Sequence, residues 1–370
     1  NYPELVGIND QLNDILVLHK EMRSRRVVPF SIFSACLKDA RIKKDKVTVP
    51  GKTRLFEMSP VELTIAQRKY LLPFYSAYQN CRMDLEHTIG INVNGHEWTV
   101  LADKLLSKSE FILAGDYSNY GPSASIEILH RLMDIQYKWL EKFGYSKEDL
   151  VQVEMLKYQI CNAPVIIQRT IVRFLSGLPS GNAATVILNS MLNSVYIRLA
   201  WLSIMRKTAY PSLKDFKDKV VLFSNGDDVI LSVHESCISE FNNVSISKFF
   251  LDYGLKYTNS KKDCEIVPYE SIGDVQYLKC GFLRHPNREE WLAPLDWDSV
   301  METPLWIWKN KVSVEEATLE NVDQALRLCF GHGPKKFNDF RKFLLSHCVE
   351  RGLYLALPIW EDLDVSVFER

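Results

Sequence analysis

Three acidic residues from two distant segments have the side chains that a divalent-metal site requires. Asp227 and Asp228 follow Asn225-Gly226, and Asp116 lies far upstream. Neighbouring carboxylates repel each other and lose hydration when they are partly buried, and a divalent cation that prefers oxygen ligands, such as Mg²⁺, removes that conflict. Two such ions about 3.5–4 Å apart can activate an attacking hydroxyl and stabilise the leaving oxygen of a phosphoryl transfer. The acids therefore indicate a two-metal site for Mg²⁺, with Mn²⁺ as a substitute.

The segments around these acids predict the strands that would position them. Residues 220–224 and 229–233 are apolar runs, and an Asn-Gly pair between such runs is a strong hairpin signal. Residues 110–114 form a short apolar stretch before Gly115-Asp116, which predicts a buried strand with Asp116 at its end. Strands that end side by side would let Asp116 and Asp227 bind the same ions. Taken alone, Asn-Gly-Asp-Asp is also typical of an ordinary exposed turn.

A strongly basic stretch precedes the acids in the chain. Pro50-Gly51 and several β-branched residues within it favour a loop or ribbon over a helix. Phosphate groups suit such a stretch because Arg offers a bidentate fork and Lys a point charge, although a charge run is usually only a solvated face. Its cations are Lys38, Arg41, Lys43, Lys44, Lys46, Lys52 and Arg54, against Asp39 and Asp45.

Periodicity and composition predict the elements between these motifs. Helical patterns cover residues 61–85 and 124–144, a loop rich in Gly, Ser and Pro covers 175–182, and an apolar helix covers 183–205. From about residue 286 the chain predicts a separate, mostly helical subdomain with an aromatic core. The tryptophans of that last part are Trp291, Trp297, Trp306, Trp308 and Trp360.

The bulk composition excludes several classes of protein. With 46% hydrophobic and 25% charged residues among 370, the chain is typical of a folded protein with two or three subdomains. The net charge of −1 means that any nucleic-acid surface is a local concentration of Lys and Arg. Eight cysteines without a C-x-x-C pair argue against a zinc site or disulfide scaffold, and no apolar run reaches membrane-spanning length. These features favour a soluble cytosolic protein with no transmembrane segment.

Six segments between residues 38 and 282 occur in the order of a known set of motifs. They resemble the motifs of RNA-dependent RNA polymerases from positive-strand RNA viruses, nearest to the picornavirus-like group that includes iflaviruses and dicistroviruses. The six are Lys38-Asp39 through Gly51-Lys52-Thr53-Arg54 (the basic nucleotide-channel motif), Asp116-Tyr117-Ser118-Asn119-Tyr120 (the first metal motif), Ser176-Gly177-Leu178-Pro179-Ser180-Gly181 with Thr185 and Asn189 (the template- and ribose-sensing loop and helix), Phe223-Ser224-Asn225-Gly226-Asp227-Asp228 (the Gly-Asp-Asp motif), Tyr253-Gly254-Leu255 with Lys262, and Tyr277-Leu278-Lys279-Cys280-Gly281-Phe282 (the two motifs that close the palm).

The resemblance implies catalytic roles for four of these residues. Asp116 and Asp227 would bind the metal ions, and Asp228 would support the site more weakly. Lys262 would be the general acid that protonates the departing pyrophosphate. The adjacent Lys261 is an alternative for that role, and a plain surface lysine is another.

The resemblance implies substrate roles for six more residues. Three cations would bind the triphosphate, and three polar residues of the loop and helix would bind the sugar, two of them by reading the ribose 2′-hydroxyl that separates RNA from DNA substrates. The plainer alternatives are N-capping by Ser180 and an ordinary internal hydrogen bond for Asn189. The three cations are Lys38, Lys52 and Arg54, and the three polar residues are Ser180, Thr185 and Asn189.

One position departs from the family pattern. Many members carry a second Asp five positions after the first, where it contacts the Asn that senses ribose, but this chain has Gly121 there. Glycine has no side chain, so that Asp–Asn hydrogen bond cannot form. Either Ser180 and Asn189 select the sugar with backbone or water help, or sugar discrimination is weaker.

The implied fold is α+β, a right-hand polymerase with an antiparallel palm sheet backed by helices. Because little chain precedes Lys38, we expect part of the family's N-terminal fingers to be missing. The expected boundaries are fingers over 1–68 and 158–178, palm over 69–157 and 179–285, and thumb over 286–370.

The implied activity is RNA-templated RNA synthesis for viral genome replication. Its partners would be an RNA template and primer, nucleoside triphosphates and a small viral protein primer, within replication complexes of the host cytoplasm; the sequence gives no oligomeric state. A reverse transcriptase is one alternative, although that class usually has an aromatic residue two positions before the Asp pair instead of Asn225-Gly226. A catalytically weak RNA-binding polymerase fragment is another, although all three acids are present.

Overall fold

A computed structural model of the protein describes residues 7–40, 44, 47–49, 51, 53–260, 265–307 and 312–369. In chain order the elements are α1 (Asp10–Ser24), β1 (Phe33–Leu37), β2 (Leu55–Met58), α2 (Val61–Asn80), α3 (His96–Leu106), β3 (Ile112–Ser118), α4 (Tyr120–Ser123), α5 (Ile126–Lys142), α6 (Lys147–Cys161), β4 (Pro164–Ile167), β5 (Thr170–Arg173), α7 (Thr185–Met205), α8 (Leu213–Lys219), β6 (Val220–Asn225), β7 (Asp228–Val233), α9 (Asn243–Asp252), β8 (Lys256–Asn259), β9 (Leu283–Arg284), β10 (Trp291–Leu292), α10 (Trp297–Glu302), α11 (Val314–Leu328), α12 (Gly333–Glu350) and α13 (Trp360–Phe368).

The chain divides into two compact units. The first unit comprises residues 1–85, 118–196 and 225–227, and the second comprises 86–117, 197–224 and 228–370. The predicted helices over 61–85, 124–144 and 183–205 are confirmed as α2, α5 and α7, and the predicted hairpin strands as β6 and β7. Among the described residues, no helix is both long and apolar enough to cross a bilayer.

The first unit contains a four-stranded sheet in the order β2-β1-β4-β5. Strand β1 pairs antiparallel with β2 and parallel with β4, and β4 pairs antiparallel with β5. The pair Leu37↔Leu55 closes the β1–β2 ladder, so the basic stretch connects two paired strands. The predicted loop or ribbon over 38–54 lies partly outside the described residues, and the antiparallel pair β1–β2 that flanks it is called the ribbon below.

A buried arginine joins the helices of the first unit. Arg23 on α1 is buried, and its guanidinium donates to the side-chain oxygens of Gln152 at 2.8 Å and Gln159 at 3.1 Å on α6. Burial lowers the pKa of Arg23, because the charged form loses hydration. The two amide oxygens offset part of that loss and fix the register of α1 on α6.

Two of the three acids lie on a four-stranded sheet of the second unit. The strand order of this sheet is β6-β7-β3-β8. Strand β3 pairs antiparallel with β7, from Ile112↔Ser232 to Gly115↔Val229. The predicted strand before Asp116 is confirmed, but its predicted end is wrong, because β3 continues to Ser118. The cause is Tyr117, which is buried and packs edge-to-face against the rings of Phe250 and Tyr257, so that the strand alternation extends past the acid.

Gly115 lets the ring of Tyr257 approach strand β3 closely. A Cβ at position 115 would lie 2.0 Å from the ring carbon and hydroxyl of Tyr257. Tyr257 itself is fixed by a hydrogen bond of 3.0 Å from its hydroxyl to the side-chain oxygen of Asn243. Any side chain larger than hydrogen at 115 would therefore push β8 and α9 away from the strand that carries Asp116.

The C-terminal part of the second unit has the predicted helices and much of the predicted aromatic core. Trp360 stacks on Phe330 with ring centroids 5.3 Å apart, and Trp297 meets Phe340 edge-on. Trp306 is not part of this core, because 56% of its surface is exposed, and Trp308 lies outside the described residues. Whether this part is a separate subdomain stays a prediction.

Candidate active site

The pairing of β3 with β7 ends next to Asp116 and Asp228. The last pair of the ladder is Gly115↔Val229, and one further step in the same antiparallel register matches Asp116 with Asp228. Residues that lie opposite each other in such a ladder point to one face, with Cβ atoms about 4.5–5.5 Å apart. Both acids are half-buried. Continued by that step, the register would place both carboxylates on one face of the sheet at the start of β7.

Two buried phenols lie within electrostatic reach of these carboxylates. Burial raises the pKa of Tyr257, and the charge of Asp116 raises it further. Burial also raises the pKa of Tyr277, against a hydrogen bond with Thr88 that lowers it, and the charge of Asp228 adds to the rise. Both phenols therefore stay protonated at neutral pH and add no negative charge beside the acids.

The third acid, Asp227, lies in an exposed turn whose backbone is held by α7. The Gly226 N–H donates to Ser190 Oγ at 2.8 Å, and Asn193 Nδ2 donates to the carbonyls of Gly226 at 3.1 Å and Asp227 at 3.2 Å. Ser190 and Asn193 are fully buried. Gly226 has a φ of 67°, a conformation that glycine adopts without strain. The backbone of the turn is therefore held by two buried polar side chains of α7.

Ser190 and Asn193 are site residues that the sequence motifs did not reveal. The signal was present: polar residues at 189, 190 and 193 recur with one-turn spacing inside the apolar run 183–205. Polar residues on a buried helix face need hydrogen-bond partners, and a turn supplies carbonyl and amide groups. That reasoning would have marked the face of α7 that meets the acidic turn.

The carboxylates suit Mg²⁺ by their chemistry and by their number. Mg²⁺ takes oxygen ligands in octahedral geometry and is usually held by one or two carboxylates together with substrate phosphates. Within the described parts of the chain, no group of three or more His, Cys, Asp or Glu side chains is placed to hold a metal ion. Where Mg²⁺ is held by one or two carboxylates, substrate phosphates and waters supply the remaining ligands.

The ribbon brings two of the three predicted triphosphate ligands together. The Lys38 N–H donates to the Arg54 carbonyl at 2.9 Å, one step beyond the Leu37↔Leu55 pair. Both residues are exposed. Like charges that lie opposite each other on a ribbon repel, and a bound polyanion relieves that repulsion. Lys52, the third ligand, and Lys262, the predicted general acid, lie outside the described residues.

The predicted loop over 175–182 is confirmed, and residues 176–182 of it, here called the sensing loop, are held against α4. The Gly177 N–H donates to the Ala124 carbonyl at 2.8 Å, and the Leu178 N–H donates to the Gly121 carbonyl at 3.2 Å. Gly177 has a φ of 101°, and a Cβ there would lie 3.2 Å from backbone atoms of Pro122. Glycine is therefore required at 177 for both its conformation and its closeness to α4.

The polar residues of the loop and helix have distinct partners. The Ser180 hydroxyl donates to Glu57 Oε2 at 2.9 Å, and since α7 begins only at Thr185, the N-capping alternative for Ser180 is wrong. The Thr185 hydroxyl lies 2.7 Å from the Asn182 carbonyl within the loop. Asn189 Oδ1 is buried and has no hydrogen-bond partner among the described residues. The internal hydrogen bond proposed as the plain alternative for Asn189 is thus absent at that oxygen.

Comparison with known proteins decides the family. The family model described as "Viral RNA-dependent RNA polymerase" matches residues 11–349. The chain belongs to the viral RNA-dependent RNA polymerase family.

Relatives and solved structures agree with this membership. The chain is 38% identical over 367 residues to the genome polyprotein of Deformed wing virus, and the match covers 98% of this chain and 12% of that polyprotein. It is 30% identical over 330 residues to the replicase polyprotein of Drosophila C virus, with 87% of this chain and 19% of the polyprotein covered. The chain thus spans less than a fifth of the length of these two relatives. The resemblance to the picornavirus-like group is confirmed.

The fold is shared with a solved polymerase. The structure of the Sicinivirus 3Dpol RNA dependent RNA polymerase matches 97% of this chain and 70% of its own, with a TM-score of 0.78 and 19% sequence identity. The predicted α+β right-hand polymerase fold is therefore confirmed.

The chain has room for the family's missing Asp at position 121. A Cβ on Gly121 would meet no atom within 4 Å. We expect Gly121→Asp to fold and to raise the preference for ribonucleotides over deoxyribonucleotides about tenfold, because one charge-assisted hydrogen bond to Asn189 contributes roughly 1.5 kcal/mol. Relative kcat/KM for UTP and dUTP measures the change. An unchanged ratio would count against contact between Asn189 and the ribose.

Proposed function

We propose that this chain catalyses RNA-templated RNA synthesis, in which a primer 3′-hydroxyl attacks the α-phosphate of a nucleoside triphosphate and pyrophosphate leaves. The observation that supports the proposal is the β3–β7 register, whose last pair, Gly115↔Val229, lies next to Asp116 and Asp228, in a chain of the viral RNA-dependent RNA polymerase family. Carboxylates on β3 and at the turn before β7 would be the protein's share of a two-metal phosphoryl-transfer site.

The three acids would hold the divalent ions. Asp116 and Asp227 are the proposed ligands and Asp228 the weaker support, with Mg²⁺ as the cofactor and Mn²⁺ as its substitute. When bound, these ions supply charge stabilisation for the attacking and leaving oxygens. The protein holds the carboxylates in place through the β3–β7 ladder and through the hydrogen bonds of Asn193 to the turn.

The ribbon and the sensing loop would bind the nucleotide. Lys38, Lys52 and Arg54 bind the triphosphate, and the exposed, opposed positions of Lys38 and Arg54 support that role. Ser180, Thr185 and Asn189 form the sugar site, and its main support is the buried Asn189 oxygen, which has no hydrogen-bond partner among the described residues. Lys262 protonates the departing pyrophosphate.

The setting follows from the relatives, which are named as viral genome and replicase polyproteins. We infer that the chain acts in viral genome replication on an RNA template and primer, with a small viral protein as the natural primer, in replication complexes of the host cytoplasm. We propose fingers over 1–68 and 158–178, palm over 69–157 and 179–285, and thumb over 286–370.

Extension of a primed homopolymer tests this function. With poly(A), an oligo(U) primer and UTP, we expect Mg²⁺-dependent extension that stops when the template is omitted or the metal is chelated. A reverse transcriptase would instead prefer dTTP, and an RNA-binding fragment would bind the primed template without extending it. Either outcome would overturn the proposal.

A further inference from the structure

An acidic side chain on the ribbon holds the sensing loop at Ser180. Glu57, on β2, receives two hydrogen bonds of 2.9 Å at Oε2, one from the Ser180 hydroxyl and one from the Ser180 N–H. In return the Glu57 N–H donates to Ser180 Oγ at 3.3 Å. The Gly181 N–H donates to the Glu57 carbonyl at 3.0 Å. Four hydrogen bonds thus join one residue of the ribbon to two of the loop.

Close packing makes this contact a fixed part of the fold. A Cβ at Gly181 would lie 2.2 Å from the Glu57 carbonyl oxygen, so only glycine allows the loop to reach the strand. On its other side the same loop is held by α4 through Gly177 and Leu178. Arg54, a proposed triphosphate ligand, lies three residues before Glu57 on the ribbon. The position of the loop is therefore tied to that of the phosphate-binding ribbon.

The hydrogen bonds also decide what Ser180 can offer a substrate. A hydroxyl has one donor and two acceptor sites. The donor is used by the Glu57 carboxylate, and one acceptor site is used by the Glu57 N–H. What remains is a single acceptor, on an oxygen made more electron-rich by the carboxylate. The buried side-chain oxygen of Asn189, which has no hydrogen-bond partner in the part of the chain that the structure describes, is an acceptor as well.

We propose that Glu57 is a positioning residue that turns Ser180 into a hydrogen-bond acceptor, so that the site selects nucleotides whose 2′ group can donate a hydrogen bond. This inference rests on the proposed function. It distinguishes a ribose hydroxyl from hydrogen and from fluorine, because only the hydroxyl can donate. It also makes sugar selection depend on the ribbon that holds the triphosphate.

Substrate analogues test the inference on primed poly(A). UTP and 2′-amino-2′-deoxy-UTP can donate from the 2′ position, whereas 2′-fluoro-2′-deoxy-UTP and dUTP cannot. For the unmodified protein we expect kcat/KM of the amino analogue to exceed that of the fluoro analogue at least tenfold. In Glu57→Ala the KM for UTP should rise about tenfold with kcat nearly unchanged, and the amino-to-fluoro ratio should fall below about threefold.

Matched variants separate positioning from general damage. Glu57→Gln keeps a carbonyl oxygen that accepts from Ser180 and should retain most of the discrimination, whereas Ser180→Ala should reproduce Glu57→Ala. The double variant Glu57→Ala/Ser180→Ala should be no worse than either single one, because both remove the same contact. Glu141→Ala, an exposed glutamate of the same unit, is the control and should change nothing.

Three results would overturn the inference. The first is an unchanged amino-to-fluoro ratio in both Glu57→Ala and Glu57→Gln. The second is strict additivity of the Glu57 and Ser180 changes. The third, complete failure of the unmodified protein to extend the primer, would contradict the proposed function itself, whereas normal extension with either of the first two would contradict only the role of Glu57.

Discussion

Asp227→Asn is expected to lower the rate of nucleotide incorporation by about 10³-fold or more while leaving the fold intact. Losing a charged metal ligand removes several kcal/mol of stabilisation from the transition state, and about 1.4 kcal/mol corresponds to each factor of ten in rate. The turn should keep its shape, because Asn193 donates to the backbone carbonyls of Gly226 and Asp227, which the substitution leaves in place. Single-turnover extension of a primed RNA at saturating UTP measures the chemical step.

The control for this experiment is another exposed acid. Asp252→Asn, at the end of α9, removes the same charge from an exposed position and should leave the rate within about twofold of the unmodified protein. Thermal unfolding of both variants checks that the fold is retained. If Asp227→Asn extends the primer at a near-normal rate, the assignment of the metal ligands is wrong.

Asn193→Ala is expected to slow incorporation about 100-fold, although the substitution leaves every proposed metal ligand unchanged. Two backbone carbonyls of the acidic turn lose their donor, and a buried carbonyl left without a partner costs roughly 1–3 kcal/mol. The turn should therefore shift, and with it the Asp227 carboxylate. A misplacement of about 1 Å in such a site can cost a factor of about 10².

Two further measurements identify the cause of the Asn193 effect. The free energy of unfolding should fall by about 2 kcal/mol, and the Mg²⁺ concentration for half-maximal rate should rise, because the defect lies at the acids. Ser203→Ala, which removes an exposed polar group from the same helix, should change neither quantity. An unchanged Mg²⁺ dependence would mean that α7 supports the fold but does not position Asp227.

The elements that hold the site could be predicted where local chemistry decides the structure. Asn225-Gly226 between apolar runs predicted the hairpin, and Gly177 and Gly181 lie in a loop that its composition indicated. The end of β3 was predicted wrongly, because the packing of Tyr117 on Phe250 and Tyr257 is a tertiary effect that no window around residue 116 contains.

The contacts between distant segments could not be read from the sequence. Glu57 carries no motif of its own, and its link to Ser180 depends on the ribbon and the sensing loop meeting in space. The same holds for Asn193. In the sequence it is only a polar residue within an apolar run, and its role depends on the contact between α7 and the turn. Conversely, the exposed position of Trp306 shows that aromatic content alone does not predict a core position.

Anomalous scattering from Mn²⁺ tests the central claim most directly. In crystals of the protein with primed RNA, UTP and Mn²⁺, we predict anomalous peaks that mark Mn²⁺ ions. These ions should lie about 2.0–2.2 Å from carboxylate oxygens of Asp116 and Asp227. Strong Mn²⁺ peaks on the nucleotide or elsewhere, with none in contact with Asp116, would contradict the account.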